Sequence, residues 1–108
     1  MPPEAAQCLF CGLVRDGEHV YAADGFVAIN DIAPQAPTHL LVLPERHVDT
    51  FRQIGEFSAE ESKRMLEFVA ETATKAGLED YRVMVHVGPS AGQTVFHLHW
   101  HVLGEAGR

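Results

Sequence analysis

Apolar residues recur with two different periods along the chain, and these periods predict its main elements. Residues 18–30, EHVYAADGFVAIN, hold two short apolar stretches around the turn at Ala23–Gly25. Because Gly25 tolerates a positive φ, this segment predicts a β-hairpin. The run HLLVLP, which ends at Pro44, is continuously apolar and predicts a buried strand. Between them, Pro34 and Pro37 hold the loop DIAPQAPTH rigid, since each proline restricts the residue before it.

A helix is predicted from Ser58 to a stop at Gly77. Ser58 and Glu61 have the spacing of a capping box, and apolar or small residues follow at helical intervals. Those positions are Met65, Leu66, Val69, Thr72, Ala73 and Ala76. The preceding segment, ERHVDTFRQIGEF, is compatible with a helical turn only.

The last third of the chain predicts two more strands, YRVMVHVG and TVFHLHWHVLG, joined by the glycine-containing loop PSAGQ. With the hairpin and the HLLVLP strand they make about five strands. We therefore expect a single α+β domain over residues 1–108, in which an antiparallel sheet packs with one principal helix and short helical turns.

Three histidines, His97, His99 and His101, stand at every second position of the last predicted strand. Residues two apart on a strand share a face and lie roughly 6.6 Å apart along it. Their rings can converge on one ligand or be divided between two neighbouring sites. A half-exposed strand with its polar side chains outward is the alternative. Three histidines favour a functional site, because threonine, serine or lysine would solvate such a face equally well.

Composition and charge narrow the classes of partner. The chain has 108 residues and a formal net charge of −7, with no basic run. Nucleic acid and anionic membranes are therefore poor partners, and a small ligand or a protein is expected. Residues 83–104 lack Asp, Glu, Lys and Arg, but their four histidines make them a poor membrane span. The N-terminal residues MPPEAAQ do not resemble a secretory signal, so a cytoplasmic location is expected.

The two cysteines, Cys8 and Cys11, form one C-x-x-C pair, for which three interpretations stay open. A redox pair normally opens a helix, and the following GLVRDGEH has two glycines and little helical period, which disfavours that interpretation. Two buried thiols are the second. The third is half of a zinc site, to which histidines elsewhere would add two ligands.

The loop GPSAGQT precedes the histidines directly. Gly88 and Gly92 let backbone N–H groups approach a ligand closely, so the loop can cradle an anion without a lysine. Next to three histidines on one face, it suggests a phosphate site.

The run from His97 to Leu103 resembles the histidine triad signature, and NDIAPQAPTHLLVLPERH resembles the ribose-binding and strand segment of the same family. The similarity extends from Cys8 to Gly104 and points to the Hint-like branch of the histidine triad (HIT) superfamily, with its HIT-like fold. It implies a hydrolase that releases a nucleoside monophosphate from purine nucleoside phosphoramidates or related conjugates through a nucleotidyl-histidine intermediate.

The resemblance implies a role for each of several residues. His99 would be the nucleophile, and a protonated His101 would contact the phosphate oxygens and the leaving group. His39 would lie under the catalytic ring and orient it. Asp31 would accept the ribose hydroxyls, with Ile32 beside it. The base would lie between apolar residues that are equally explicable as core: Leu9, Phe10, Leu13, Ile29 and Leu41.

The phosphate would meet Gly92, Gln93 and Thr94, and His86 stands where the family usually has an asparagine. The resemblance further implies a structural zinc held by Cys8, Cys11, His47 and His97, no organic cofactor, and a homodimer.

Alternative functions are a dinucleoside polyphosphate hydrolase and a non-catalytic nucleotide-binding adaptor. A metal-dependent enzyme is a further class, because His99, His101 and Glu105 have the spacing of a cupin-type metal motif.

Overall fold

The computed structural model describes residues 8–107, which form a five-stranded antiparallel sheet with helices on both of its faces. The strands are β1 (Tyr21–Ala23), β2 (Phe26–Asn30), β3 (Thr38–Pro44), β4 (Tyr81–Met84) and β5 (Trp100–Gly104), in the spatial order β1-β2-β3-β5-β4. The helices are α1 (Leu9–Asp16) and α2 (Ala59–Lys75), with 3-10 helices at Phe51–Glu56 and Pro89–Ala91. The α+β prediction is confirmed. No helix within residues 8–107 has the length and apolar character needed to cross a bilayer.

The hairpin and the long helix form where the local pattern predicts them. Asp24 and Gly25 both have positive φ, 55° and 89°, which gives the two-residue turn between β1 and β2. The Ser58 side chain accepts a hydrogen bond from the Glu61 N–H at 3.0 Å, and α2 ends before Gly77, where φ is 78°.

Side chains alternate between the two faces of the sheet, and each face has its own apolar cluster. Ala28, Leu40, Val42 and Val102 pack against α2, which buries Met65, Phe68, Val69, Thr72 and Ala73. Val27, Ile29, Leu41 and Leu43 lie on the other face and pack against Phe10 of α1. His39 and His101 belong to this second face, because their register partners are Leu103 and Leu41. The sheet therefore separates the α2 core from the histidines.

Helix α1 directly follows the first cysteine, so the weak helical period of GLVRDGEH, which was the argument against a redox pair, does not hold. Cys8 is its N-cap, and its Sγ accepts from the Cys11 N–H at 3.3 Å. Phe10, Leu13 and Val14 have helical spacing and pack on the second face. A glycine inside a helix costs only about 1 kcal/mol relative to alanine, which the burial of Phe10 offsets. Gly17 ends the helix rather than preventing it.

The last two strands are shorter than predicted. β4 ends at Met84, and β5 begins only at Trp100, so His97 and His99 precede the strand that was expected to carry all three histidines. The β3–β5 pairing stops at Val42 and Trp100. Beyond it, the Leu98 N–H bonds to the Val48 carbonyl at 2.6 Å instead of to β3, which turns the chain away from the sheet. This bend separates His97 from the other two histidines.

Candidate active site

A chain of hydrogen bonds fixes the protonation of His39 and His101. The Gln35 N–H donates to His39 Nδ1 at 3.0 Å, so neutral His39 carries its proton on Nε2. That Nε2 lies 2.9 Å from His101 Nδ1 and 3.3 Å from Asp31 Oδ2. When His101 Nδ1 accepts from His39, the proton of His101 stays on Nε2. Within residues 8–107, His101 Nε2 has no hydrogen-bond partner, so it is free to donate to a ligand.

His99 is held in the opposite tautomer. Its Nδ1 donates to the His97 carbonyl at 2.7 Å, which leaves the lone pair on Nε2. The Phe10 ring packs against it in a T-shaped arrangement, with the ring planes at 86° and the centroids 4.9 Å apart. Burial, foremost, lowers the pKa of His99 below its usual value of 6.5. At neutral pH the ring is therefore unprotonated at Nε2, as a nucleophile must be.

Two expectations about the other histidines change. His39 was expected to orient His99, but its hydrogen bond goes to His101. His101 was expected to be protonated, yet burial, together with the nearby His99, His86 and His39, lowers its pKa to about 4. In the free protein His101 is therefore a neutral N–H donor at pH 7, and His39 sets its tautomer.

Two cavities meet at the histidine pair. One has a volume of about 290 Å³, is lined mainly by apolar side chains, and includes all five residues that were expected around the base: Leu9, Phe10, Leu13, Ile29 and Leu41. The other, of about 470 Å³, is more polar and includes Gln35, Arg82, His86 and Gly92. His99, His101, Asp31 and Thr94 line both. A ligand at these residues can therefore extend an apolar part to one side and a polar part to the other.

Asp31 and Ile32 lie at the mouth of the apolar cavity. Asp31 Oδ1 accepts from the Ala33 N–H at 2.9 Å, an Asx turn that fixes the carboxylate beside His39. Ile32 is 94% exposed and adds its side chain to the cavity wall. Both are placed as the ribose-site prediction requires, and their contact with ribose stays a prediction.

The loop of residues 88–94 is organised from inside by Gln93. The Gln93 side chain is 3% exposed, accepts from the Gly88 N–H at 2.9 Å, and donates to the carbonyls of Asp49 (2.9 Å) and Val95 (3.1 Å). It lies outside the lining of both cavities, so it supports the loop rather than facing a ligand. Thr94 and Gly92 are the members of the predicted phosphate set that line a cavity.

The predicted metal ligands Cys8, Cys11, His47 and His97 come together in one cluster, with all ligand atoms within 4.8 Å of one another. Cys8 Sγ and Cys11 Sγ each lie 3.4 Å from His97 Nδ1, and Cys11 Sγ lies 3.2 Å from His47 Nδ1. A tetrahedral zinc site with normal bond lengths places sulfur and nitrogen ligands about 3.6 Å apart. The spacing therefore fits zinc.

The Nε2 atoms of His97 and His47, which face away from the cysteines, both have hydrogen-bond partners, as the histidine ligands of a metal site require. His97 Nε2 donates to the Pro44 carbonyl at 2.8 Å, and His47 Nε2 donates to Asp49 Oδ1 at 2.5 Å. Both Nδ1 lone pairs are thereby turned toward the cysteines. Burial raises the pKa of Cys11 to about 11, which opposes a reactive redox thiolate in the absence of a cation. The alternative motif of His99, His101 and Glu105 does not form a ligand cluster within residues 8–107.

Comparisons with known proteins identify the family of this chain. The family model of the HIT domain matches residues 13–107. This chain belongs to the HIT domain family. A HIT-like protein of Chlamydia pneumoniae is 43% identical over 98 residues, which cover 86% of this chain and 84% of that protein. The purine nucleoside phosphoramidase of Escherichia coli strain K12 is 31% identical over 105 residues, covering 93% of this chain and 88% of the enzyme.

Solved structures of the HIT family have the same fold. The crystal structure of a HIT family hydrolase from Legionella pneumophila superposes with a TM-score of 0.83 at 34% identity, over 94% of each chain. Another HIT family hydrolase, from Clostridium thermocellum, gives a TM-score of 0.84 at 33% identity, over 94% of this chain and 92% of that one. Membership of the family supports a hydrolase role for this protein.

Three residues of the site were not foreseen from the sequence: Gln35, Asp49 and Arg82. The Gln35 contribution is its backbone N–H, which no side-chain pattern reveals. Asp49 follows His47 by two residues, the spacing at which an extended chain places two side chains on one side. Arg82 shares a face with Met84 on β4 by alternation, but only the β4–β5 register, in which Met84 lies opposite His101, places it on the face of His101.

Proposed function

We propose that this protein hydrolyses nucleoside phosphoramidates or related nucleotidyl conjugates at the α-phosphorus and releases a nucleoside monophosphate. The observation that carries the proposal is His99. Its Nδ1–H donates to the His97 carbonyl, its Nε2 lone pair makes no hydrogen bond within residues 8–107, and it lies where the two cavities meet. The E. coli phosphoramidase, which this chain resembles over most of its length, supports the same reaction class.

The cavities suggest how the substrate binds. The apolar cavity is suited to the purine base, because aliphatic and aromatic side chains can cover both of its faces. Asp31 is placed to accept hydrogen bonds from the ribose hydroxyls. The α-phosphate then lies at the junction near His99, His101 and Thr94, and the leaving group occupies the polar cavity.

The proposed reaction has two displacements. His99 Nε2 attacks phosphorus, a P–N bond to His99 forms, and the P–N bond to the leaving amine breaks. The departing nitrogen keeps the electron pair and takes a proton from the solvent side of the polar cavity. Water then attacks phosphorus, breaks the bond to His99 and returns one proton to the solvent. One water is consumed, and an amine and a nucleoside monophosphate are formed.

His101 stabilises the phosphoryl group in both steps. Its Nε2–H donates to a phosphoryl oxygen, and the hydrogen bond from His39 keeps it in the tautomer that can donate. A bound anion also raises the pKa of His101 above its free value of about 4, because a nearby negative charge favours the imidazolium form.

The second part of the proposal is a structural zinc on Cys8, Cys11, His47 and His97. Two thiolates and two imidazoles close a tetrahedral shell, so the ion would brace the fold without activating water. The site ties the start of α1 to the segment before β5. Since α1 supplies Phe10 and Leu13 to the apolar cavity, the metal would also hold the base pocket in place.

We also propose that two copies of the chain form a homodimer. β4 is an edge strand, and Tyr81 and Val83 on it are partly exposed, as is Leu66 on α2. An edge strand with apolar side chains is suited to pairing with a second copy. Light scattering with size-exclusion chromatography should give twice the chain mass, and Val83→Lys should give the monomer.

The reduced thiols of the metal cluster fit the expected cytoplasmic location.

The test of the activity uses adenosine 5′-phosphoramidate, with AMP measured by chromatography. The wild type should release AMP, and His99→Ala should not. His19→Ala is the matched control, because His19 is an exposed histidine outside both cavities and the metal cluster. A folded wild type that binds AMP but releases none from this substrate would overturn the hydrolase proposal and favour the adaptor or polyphosphate alternative.

A further inference from the structure

The polar cavity contains one side chain with a permanent positive charge, Arg82. Across the residues that the structure describes, no other lysine or arginine lines either cavity. Arg82 lies opposite Leu103 in the β4–β5 pairing, and Leu103 lies opposite His39 in the β3–β5 pairing. Residues in register share a face, so the arginine projects from the histidine face of the sheet.

Within residues 8–107 of one copy of the chain, Arg82 has no acidic partner, unlike most of the lysines and arginines there. Arg15, Arg46, Lys63 and Arg64 are paired with carboxylates, and Lys75 lies over the Tyr21 ring. Over residues 8–107, only Arg52 and Arg82 have neither kind of partner. In a chain with a net charge of −7, an unpaired arginine beside the candidate active site is available to a ligand.

His86 adds a second donor to the same cavity. Its ring centroid lies 4.6 Å from that of His101, with the ring planes inclined by 34°. Neither of its nitrogens is hydrogen-bonded to any residue between 8 and 107. The carboxylate in the cavity lining is Asp31, whose two oxygens already face the Ala33 N–H and His39. Arg82 and His86 therefore present unused hydrogen-bond donors on the leaving-group side.

We propose that Arg82 and His86 bind an anionic group on the leaving group, so that the enzyme selects nucleotidyl conjugates whose departing part carries a carboxylate or a phosphate. This inference rests on the proposed hydrolase function and adds the substrate class. The guanidinium group of an arginine can donate two parallel hydrogen bonds to either a carboxylate or a phosphate. A carboxylate would come from an amine of the amino-acid type, and a phosphate from a dinucleoside polyphosphate. The cavity, about 470 Å³, has room for a leaving group of amino-acid size.

The test compares two matched substrates, the phosphoramidate of AMP with L-alanine and the same compound with its carboxylate methylated. The wild type should show a higher kcat/KM for the acid than for the ester. Arg82→Gln should lower this acid-to-ester ratio about tenfold to a hundredfold, because a hydrogen bond between two charged groups is lost. Arg82→Lys should restore part of the ratio, and His86→Asn should lower it about two- to tenfold, as for a neutral donor.

Lys63→Gln is the control, since it removes the same charge from α2 on the opposite face of the sheet and should leave the ratio at the wild-type value. A third arm uses diadenosine tetraphosphate. If its kcat/KM exceeds that of the acid and falls with Arg82→Gln, the anion is a phosphate; if the acid is preferred, it is a carboxylate.

An acid-to-ester ratio that Arg82→Gln leaves unchanged, together with hydrolysis of diadenosine tetraphosphate that Arg82→Gln also leaves unchanged, would overturn the inference, while AMP release upholds the proposed function. A folded protein that releases AMP from none of the three substrates would overturn the function and the inference together.

Discussion

The buried amide of Gln93 should be needed to position the phosphate loop, although it does not line either cavity. Gln93→Met keeps the length of the side chain but removes all three hydrogen bonds. The Gly88 N–H is then left buried without its acceptor, which costs about 1–3 kcal/mol. The carbonyls of Asp49 and Val95 are part-buried and each lose a donor, at about 0.5–1 kcal/mol apiece. The expected loss in free energy of unfolding is about 2–5 kcal/mol.

Urea unfolding followed by circular dichroism measures this loss, and AMP titration measures the effect on the site. Thr94→Val is the control for a residue that faces the ligand and does not support the loop, because Thr94 lines both cavities and is exposed. It should weaken AMP binding and change stability by less than about 0.5 kcal/mol, as for a surface substitution. Wild-type stability of Gln93→Met together with a loss of affinity for AMP would contradict this prediction, since the Gln93 amide would then contact the nucleotide directly.

Three more predictions concern the histidines, the metal and the core. The pKa of His101, about 4 in the folded state against 6.5 in the unfolded chain, means that the unfolded chain binds the proton first as pH falls. The difference in free energy of unfolding between wild type and His101→Gln, measured by urea unfolding, should therefore shrink by at most about 3 kcal/mol from pH 7.5 to pH 4.5. A difference that does not depend on pH would contradict this prediction. Mass spectrometry of metals should find one zinc per chain, and Asp49→Asn should weaken zinc binding about 10- to 100-fold in a chelator competition; unchanged affinity would show that the Asp49 bond to His47 is irrelevant to the metal. Phe68→Ala should cost about 3–5 kcal/mol of unfolding free energy because the ring is fully buried and stacked on Tyr21, and a loss below about 1 kcal/mol would show that this core is loosely packed.

The elements with strong local signals could be predicted from the sequence. The cap at Ser58 and the turn at Asp24–Gly25 are short-range features that do not depend on the rest of the fold. Helix α1 was missed because its stability comes from packing: Phe10 is buried against the second face, and a cysteine provides the cap. Two glycines nearby made the segment look like a loop, which is a propensity argument that tertiary contacts override.

Most residues of the candidate site were predicted from the sequence, but the contacts between them were not. Alternation places His97, His99 and His101 on one strand, whereas the bond from Leu98 to the Val48 carbonyl pulls the first two out of the sheet. Which histidine His39 touches depends on the register of β3 and β5, and no local pattern encodes that register. Arg82 was overlooked for the same reason, since β4 reaches the site only through its pairing with β5.

The central claim is that His99 is the nucleophile, and trapping the covalent intermediate tests it most directly. The wild type would be mixed with adenosine 5′-phosphoramidate, quenched rapidly in alkali, and digested with trypsin. Cleavage after Arg82 leaves His86, His97, His99 and His101 on one peptide, so fragmentation by tandem mass spectrometry must locate the adenylyl group. We predict an adenylyl group on His99 that forms within one turnover and is absent in His99→Ala. An adenylyl group on His86 or His101, or AMP release at the wild-type rate by His99→Ala, would contradict the account.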